Sequence, residues 1–190
     1  MTEPSRCTWV NLANPLYVAY HDEEWGRRVT DDRQLFEQLC LEGAQAGLSW
    51  ETVLNKREGY RRAFHDFDPE AILRMSATEL EALANDASII RHRQKIASVP
   101  TNARAYLDLV DEGTTLLAYL ESFVPDAPRV NSPRTLSDIP TKTPESDALS
   151  KDLKKRGFKF VGSTIVYAFL QATGFVVDHT QDCFLYGETT

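Results

Sequence analysis

Apolar residues recur at helical spacing along most of the chain, and alternating strand patterns are absent. Pro15 opens a short helix reaching His21. Leu35, Phe36, Leu39 and Cys40 then form one apolar arc, on a helix capped by Asp31 or Asp32 and running to Ala46. Ser49 is placed to cap a helix over residues 50–64, with Val53, Leu54 and Tyr60 on one side. Asp68 and Pro69 start another short helix, and residues 78–86 carry Leu80 and Leu83 on one face. Residues 91–110 read as a longer helix with Ile96, Val99, Ala103 and Leu107 in register, which Pro100 should kink or divide. Residues 116–123, 145–155 and 163–173 complete the helical set, and the Pro-, Thr- and Ser-rich stretch 125–144 reads as an ordered connection. The pattern predicts an all-α fold.

Composition narrows the class. A chain of 190 residues can bury a core without disulfides, so one domain over residues 1–190 is expected. Three widely spaced cysteines make no disulfide framework, and no apolar segment follows Met1–Arg6 as a secretory leader would require. The longest apolar run, residues 160–177, is broken by Gly162, Ser163, Thr164, Gln171, Thr173 and Gly174, so no membrane span is expected. A cytoplasmic monomer is the expectation. The net charge of −7 argues mildly against a nucleic-acid partner. Its distribution points the other way. Bases cluster at Arg91, Arg93 and Lys95, and again over residues 151–159, where five Lys and Arg stand with the single Asp152.

Candidate chemistry falls in three places. Residues 41–50 hold Glu42, two glycines, an apolar tip at Leu48 and Trp50. At 100° per residue Glu42 lies about 20° beyond Leu35, at the edge of the apolar arc. Helical position alone makes it a rim acid that snorkels to water; the alternative is a carboxylate lining an aromatic pocket. In the second place, the helices over 145–155 and 163–173 are joined by a short glycine-containing turn. Gly162 would allow close approach of a phosphate to a helix N-terminus, with Ser163 and Thr164 following and Lys155, Arg156 and Lys159 adding charge. An ordinary helical corner has the same pattern. Third, Cys7 and His21 near one end and His179 and Cys183 near the other have the types of a closed tetrahedral zinc site, although isolated Cys and His residues are usually just packed. Cys40 reads as a buried thiol.

Five segments occur in one order: CTWV, PLYVAYHDEEWG, LEGAQAGLSWETVL, IIRHRQKI and LKKRGFKFVGSTI. Together they resemble the 3-methyladenine DNA glycosylase I family over nearly the whole chain. The resemblance implies a helix-hairpin-helix glycosylase fold, with two helical lobes flanking a pocket, the hairpin near 145–174, and a structural zinc joining residues 7–21 to 179–183. It places the zinc ligands at Cys7, His21, His179 and Cys183, the base-reading acid at Glu42, and pocket aromatics at Tyr17, Tyr20 and Trp50. It also places a DNA-probing loop at Gln45 and Leu48, and a DNA grip at Lys155, Arg156, Lys159, Gly162, Ser163 and Thr164. Trp9 and Trp25 lie in the matching segments as contacts or supports. Two departures are local: Pro100, and one extra residue between Cys7 and His21.

The implied activity is excision of 3-methyladenine from alkylated double-stranded DNA. Asp178 would either activate water or orient His179. Residues 162–164 offer no lysine for a Schiff base, so no strand cleavage is expected. Two other classes remain: a zinc-stabilised DNA-binding module, which would not need Glu42, and a small-molecule hydrolase, which would leave the basic hairpin unexplained.

Overall fold

The helix predicted around Leu35 forms and becomes the centre of the structure. This is a computed structural model that describes residues 4–188; residues 1–3, which open the stretch expected to lack a leader, lie outside the described residues. Helix α1 spans Pro15–Glu23 and α2 spans Asp32–Gln45. Asp31 caps α2 by accepting a hydrogen bond from the Gln34 amide at 2.9 Å. Asp32 instead reaches a different helix. Its two oxygens accept from the amides of Leu116 and Leu117, the orphan donors opening α8 (Leu116–Glu121). Leu35, Phe36, Leu39 and Leu41 are fully buried, because α2 packs against α7 (Arg93–Asp111), α8 and α10 (Ser163–Ala172) together.

The other helices among the described residues follow the predicted pattern with adjustments. The helix expected over 50–64 is two, α3 (Trp50–Leu54) and α4 (Arg57–Ala63). Ser49 caps α3 as expected, but the Lys56 amide turns back to the Val53 carbonyl, tightening the chain into a break. The break lets α4 lie against residues 88–90, where the Tyr60 hydroxyl accepts from the Ile90 amide. Short helices α5 (Pro69–Leu73) and α6 (Ala77–Ala82) follow. Helix α7 runs unbroken through Pro100. Proline removes one donor there, while Ile96, Val99 and Ala103 stay buried along a single face against α2 and α5. Helix α9 (Pro144–Lys155) begins at a capping box on Thr143 and packs against α10.

One feature escaped the helical pattern. Arg129–Val130 (β1) pairs in parallel with Val176–Val177 (β2), two residues each, too short to leave any periodicity. This bridge fixes the connection 125–144 beside the chain leaving α10. Among the described residues no helix is long and apolar enough to cross a membrane.

Buried apolar residues form a large cluster around α2 and a smaller one uniting Cys7, Tyr17, Tyr20 and Trp25 with Ala172, Cys183 and Leu185. The second is laced to the first where residues 26–29 cross the end of α10: the Gly26 and Val29 amides donate to the Gln171 and Thr173 carbonyls. Gly174 makes the crossing possible. Its φ is +69°, and a Cβ there would lie 2.3 Å from the Arg27 carbonyl carbon. Gly174→Ala is therefore expected to destabilise the protein by about 2–4 kcal/mol in urea titrations.

Candidate active site and metal centre

The last turns of α2 set the chemistry. Glu42 is 3% exposed, and its Oε1 accepts a 2.9 Å hydrogen bond from Gln38 Nε2, one turn earlier on the same face. Burial drives its pKa up from the ordinary carboxylate range to about 8, with the Gln38 bond offsetting only part of the effect. The rim position expected from the helical angle is thus corrected. The apolar arc is wider than α2's own residues define, since α1 and α10 close the side on which Glu42 lies.

Glu42 opens onto a cavity of about 340 Å³. Tyr17 and Tyr20, from successive turns of α1, stack at 6.4 Å between ring centres with a 24° interplanar angle. Trp50, the first residue of α3, stands 5.3 Å from Tyr20. Trp9 and Trp25 complete the aromatic wall, 5.1 Å apart and nearly perpendicular. The indole N–H of Trp50 is buried with no hydrogen-bond partner among the described residues. Burial raises the Tyr17 hydroxyl to about 12 and Tyr20 well above its usual value, so both rings stay neutral phenols.

Beyond Glu42 the chain turns sharply. Gly47 takes φ +75°, leaving Leu48 39% exposed at a tip whose carbonyl accepts from Gln45 Nε2 at 2.8 Å. Gln45 also lines the cavity. Further along, the turn between α9 and α10 exposes Lys155, Lys159 and Thr164, with Ser163 half-buried. Gly162 caps α10 with φ −65° and open space above its Cα. Any residue adopts that backbone, so the fold itself does not demand glycine there. Arg156 departs from expectation. Its guanidinium donates to Asp152 and Glu112 at 2.9 and 2.8 Å and lies over the Tyr119 ring, so it is committed within the protein.

Behind the aromatic wall the four terminal residues converge. Ligand atoms of Cys7, His21, His179 and Cys183 all lie within 4.8 Å of one another, and all four residues are buried. A tetrahedral ion bound by sulfur and imidazole nitrogen separates the two donors by about 3.6 Å. His179 Nδ1 lies 3.6 Å from each sulfur, and His21 Nε2 lies 3.4 Å from Cys183 Sγ. The donor set fits a metal ion with no open position. Asp22 Oδ1 holds the other nitrogen of His21 at 2.7 Å, and the Trp25 backbone bonds the His179 ring.

The methyladenine glycosylase profile matches residues 9–186. The chain belongs to that family. DNA-3-methyladenine glycosylase 1 of Escherichia coli K12 is 56% identical over 181 residues, covering 95% of this chain and 96% of the relative. A crystal structure of 3-methyladenine DNA glycosylase I superposes with a TM-score of 0.93 at 53% identity, over 96% of this chain and 100% of that one. The Staphylococcus aureus enzyme, whose structure addresses 3-methyladenine recognition, gives 0.92 at 36% identity, over 97% and 98%.

Within this methyladenine glycosylase chain, the expected pocket residues Tyr17, Tyr20, Glu42 and Trp50 do meet in one cavity, and the four terminal Cys and His residues meet in one cluster. Asp178, for which activating water and orienting His179 were the alternatives, makes its side-chain hydrogen bonds elsewhere. It is 1% exposed and accepts from Asn131, Tyr167 and Gln171 at 2.6–2.7 Å, tying the connection after β1 to α10. Asp22 has the orienting position instead, and its place beside His21 in the sequence was a usable signal. Gln38 was also detectable, four residues before Glu42 on the same face. Leu136, Ile139, Pro140 and Thr141 form the far wall of the cavity, with no local signature of that role.

The Glu42 carboxyl yields a stability prediction. Between about pH 4.5 and 8 the folded state holds a proton that the unfolded state has lost, so stability falls as pH rises through that window. Glu42→Gln removes this slope. The variant should match the wild type near pH 4.5 and exceed it at pH 8 in urea titrations; parallel stability curves would show that Glu42 titrates normally.

Proposed function

We propose that this chain is a monofunctional DNA glycosylase that flips 3-methyladenine out of alkylated duplex DNA and releases it by hydrolysis, as one domain. The observation that carries this reading is a buried carboxyl group facing a cavity walled by five aromatic rings. A purine methylated at N3 is cationic while it is bonded to the sugar, and faces of Tyr20 and Trp50 attract such a ring by roughly 0.5–2 kcal/mol. Glu42 accepts a hydrogen bond from the exocyclic amine and balances the charge. Burial keeps Glu42 protonated in the free protein at neutral pH, so entry of the cation favours its anion and expels the proton. Affinity for the cationic base therefore rises with pH up to about 8.

The chemistry needs little proton delivery. The bond from the base nitrogen to the sugar C1′ breaks, its electron pair goes to the base, and the base departs neutral. Water oxygen bonds C1′ and its proton passes to solvent. The contribution of the protein is selection and positioning: a base that is already labile is held outside the stack, with water excluded from its faces. Three donors on Asp178 support a structural role for it rather than activation of water.

Duplex engagement is assigned to two exposed elements. The α9–turn–α10 unit acts as a helix-hairpin-helix that receives a phosphate at Gly162 and the amides of Ser163 and Thr164, with Lys155 and Lys159 adding charge. Leu48 fills the space left by the flipped base. Without a lysine at residues 162–164 the reaction stops at the abasic site. Cys7, His21, His179 and Cys183 would hold one zinc ion, which supplies a structural cross-link and no reaction chemistry.

Incubation with methylated DNA is expected to release free 3-methyladenine and leave the strands intact; absence of the free base sinks the proposal. Glu42→Gln should retain affinity for abasic DNA while losing affinity for 3-methyladenine, and unchanged base affinity would remove Glu42 from recognition. Metal analysis should find about one zinc per chain, lost together with stability in Cys183→Ser. A metal-free wild-type protein of equal stability would refute the zinc assignment.

A further inference from the structure

Helix α7 carries a line of buried polar side chains that none of these roles uses. Lys95, Ser98 and Asn102 recur at i, i+3 and i+7 on one face, and each is less than 9% exposed. Lys95 makes no ion pair among the described residues. Its Nζ donates to the Ala44 and Ala46 carbonyls at 2.8 and 2.6 Å, the end of α2 where carbonyls lack helical partners. A cation at that end also suits the helix dipole. Ala46 is the residue at which the chain leaves α2, immediately before Gly47 and Leu48. Lys95 therefore grips the base of the exposed tip.

Two turns further along α7, Asn102 grips the other DNA element. Its side-chain amide donates to the Lys159 carbonyl at 3.2 Å and accepts from the Lys159 amide at 2.7 Å, satisfying both backbone groups of that residue. The next residue, Phe160, takes φ +56°, a conformation that is costly without glycine and persists only where the surroundings impose it. Those surroundings include α2 itself. A Cβ on Gly43 would stand 3.1 Å from Phe160 Cβ and 3.3 Å from its carbonyl oxygen. Ser98 hydroxyl donates to the Lys95 carbonyl at 2.7 Å, keeping the third polar group of the stripe satisfied inside the helix.

We infer that α7 is a brace: Lys95 and Asn102 are positioning residues that fix the separation between the Leu48 tip and the hairpin turn at residues 159–164. Base displacement and phosphate capture then occur a set distance apart along the duplex. The inference rests on the DNA roles proposed for Leu48 and the hairpin. It does not involve the base cavity, because neither side chain lines it.

Rates of 3-methyladenine release from duplex and from single-stranded methylated DNA, with the affinity for free 3-methyladenine, test the brace. Lys95→Met is expected to lower duplex kcat about tenfold to a hundredfold, the scale of a small misplacement. Single-strand release and free-base affinity should stay at wild-type values, and Lys95→Arg, which keeps two donors, should restore much of the duplex rate. Asn102→Leu should raise KM for duplex with free-base affinity again unchanged. A merely structural role would shift all these readouts together. If Lys95→Met does not fold, Lys95→Gln is measured in its place. Leu48→Ala separates the two levels of inference. If it lowers the duplex-to-single-strand ratio while both α7 variants keep wild-type duplex kinetics, the brace is overturned and the wedge stands. If Leu48→Ala leaves the ratio unchanged, the wedge fails and the brace with it.

Discussion

A carboxyl group removed from water with one neutral hydrogen-bond partner stays buried only if its surroundings cannot relax around it. Glu42 imposes that demand, and α2 meets it by being enclosed by α7, α8 and α10 along its length. The helix is at once the centre of the apolar core and the carrier of the acid. Its middle residues secure its position, and its last turn faces the cavity. The same division recurs in α10, whose buried face packs on α2 while its N-terminus opens to solvent beside Gly162. In both helices the residues facing the cavity or the solvent stand at the end of an element whose middle is packed into the core.

The aromatic wall is supported differently. Trp9 and Trp25 pack edge-on against His21 and His179 at 5.2 and 4.7 Å, so rings facing the cavity rest on rings of the terminal Cys/His cluster. Asp22 reinforces this layer through His21 and through Arg6, whose guanidinium pairs with it at 2.7 Å. Small displacements in the cluster would pass directly to the pocket, because tightly packed aromatic edges leave no slack between them.

Much of this arrangement was legible in the sequence where the determining forces are local. Asp31, Ser49 and Asp68 announced helix starts, and the apolar arcs located the core faces of α2 and α7. Pro100 does not divide α7, because a proline penalty is local whereas the burial that keeps the helix continuous comes from other helices. Glu42 misled for a related reason: its angle on α2 says nothing of what α1 and α10 bring to that side. The wall at 136–141 lies almost a hundred residues from Glu42, and the short pairing of β1 with β2, with the Asn131–Asp178 hydrogen bond beside it, helps carry it into place. The family resemblance supplied the site residues that periodicity could not, yet it left the partners of Asp178 and the ion pairs of Arg156 to the structure.

The smaller apolar cluster joins residues 7–25 and Leu54 to residues 172–185, which lie far apart in sequence. A protein made on the ribosome emerges N-terminus first, so Tyr20 and Trp25 can meet Trp50 and Trp9 early but must wait for residues 172–185 before the cluster closes. Until residues 136–141 and 168–171 have emerged the pocket lacks its far wall, although α2, α7 and α8 can already associate. Closure of the cavity thus follows assembly of the α2 core, and a nascent chain that has not yet reached residue 171 carries a partial core without an assembled site.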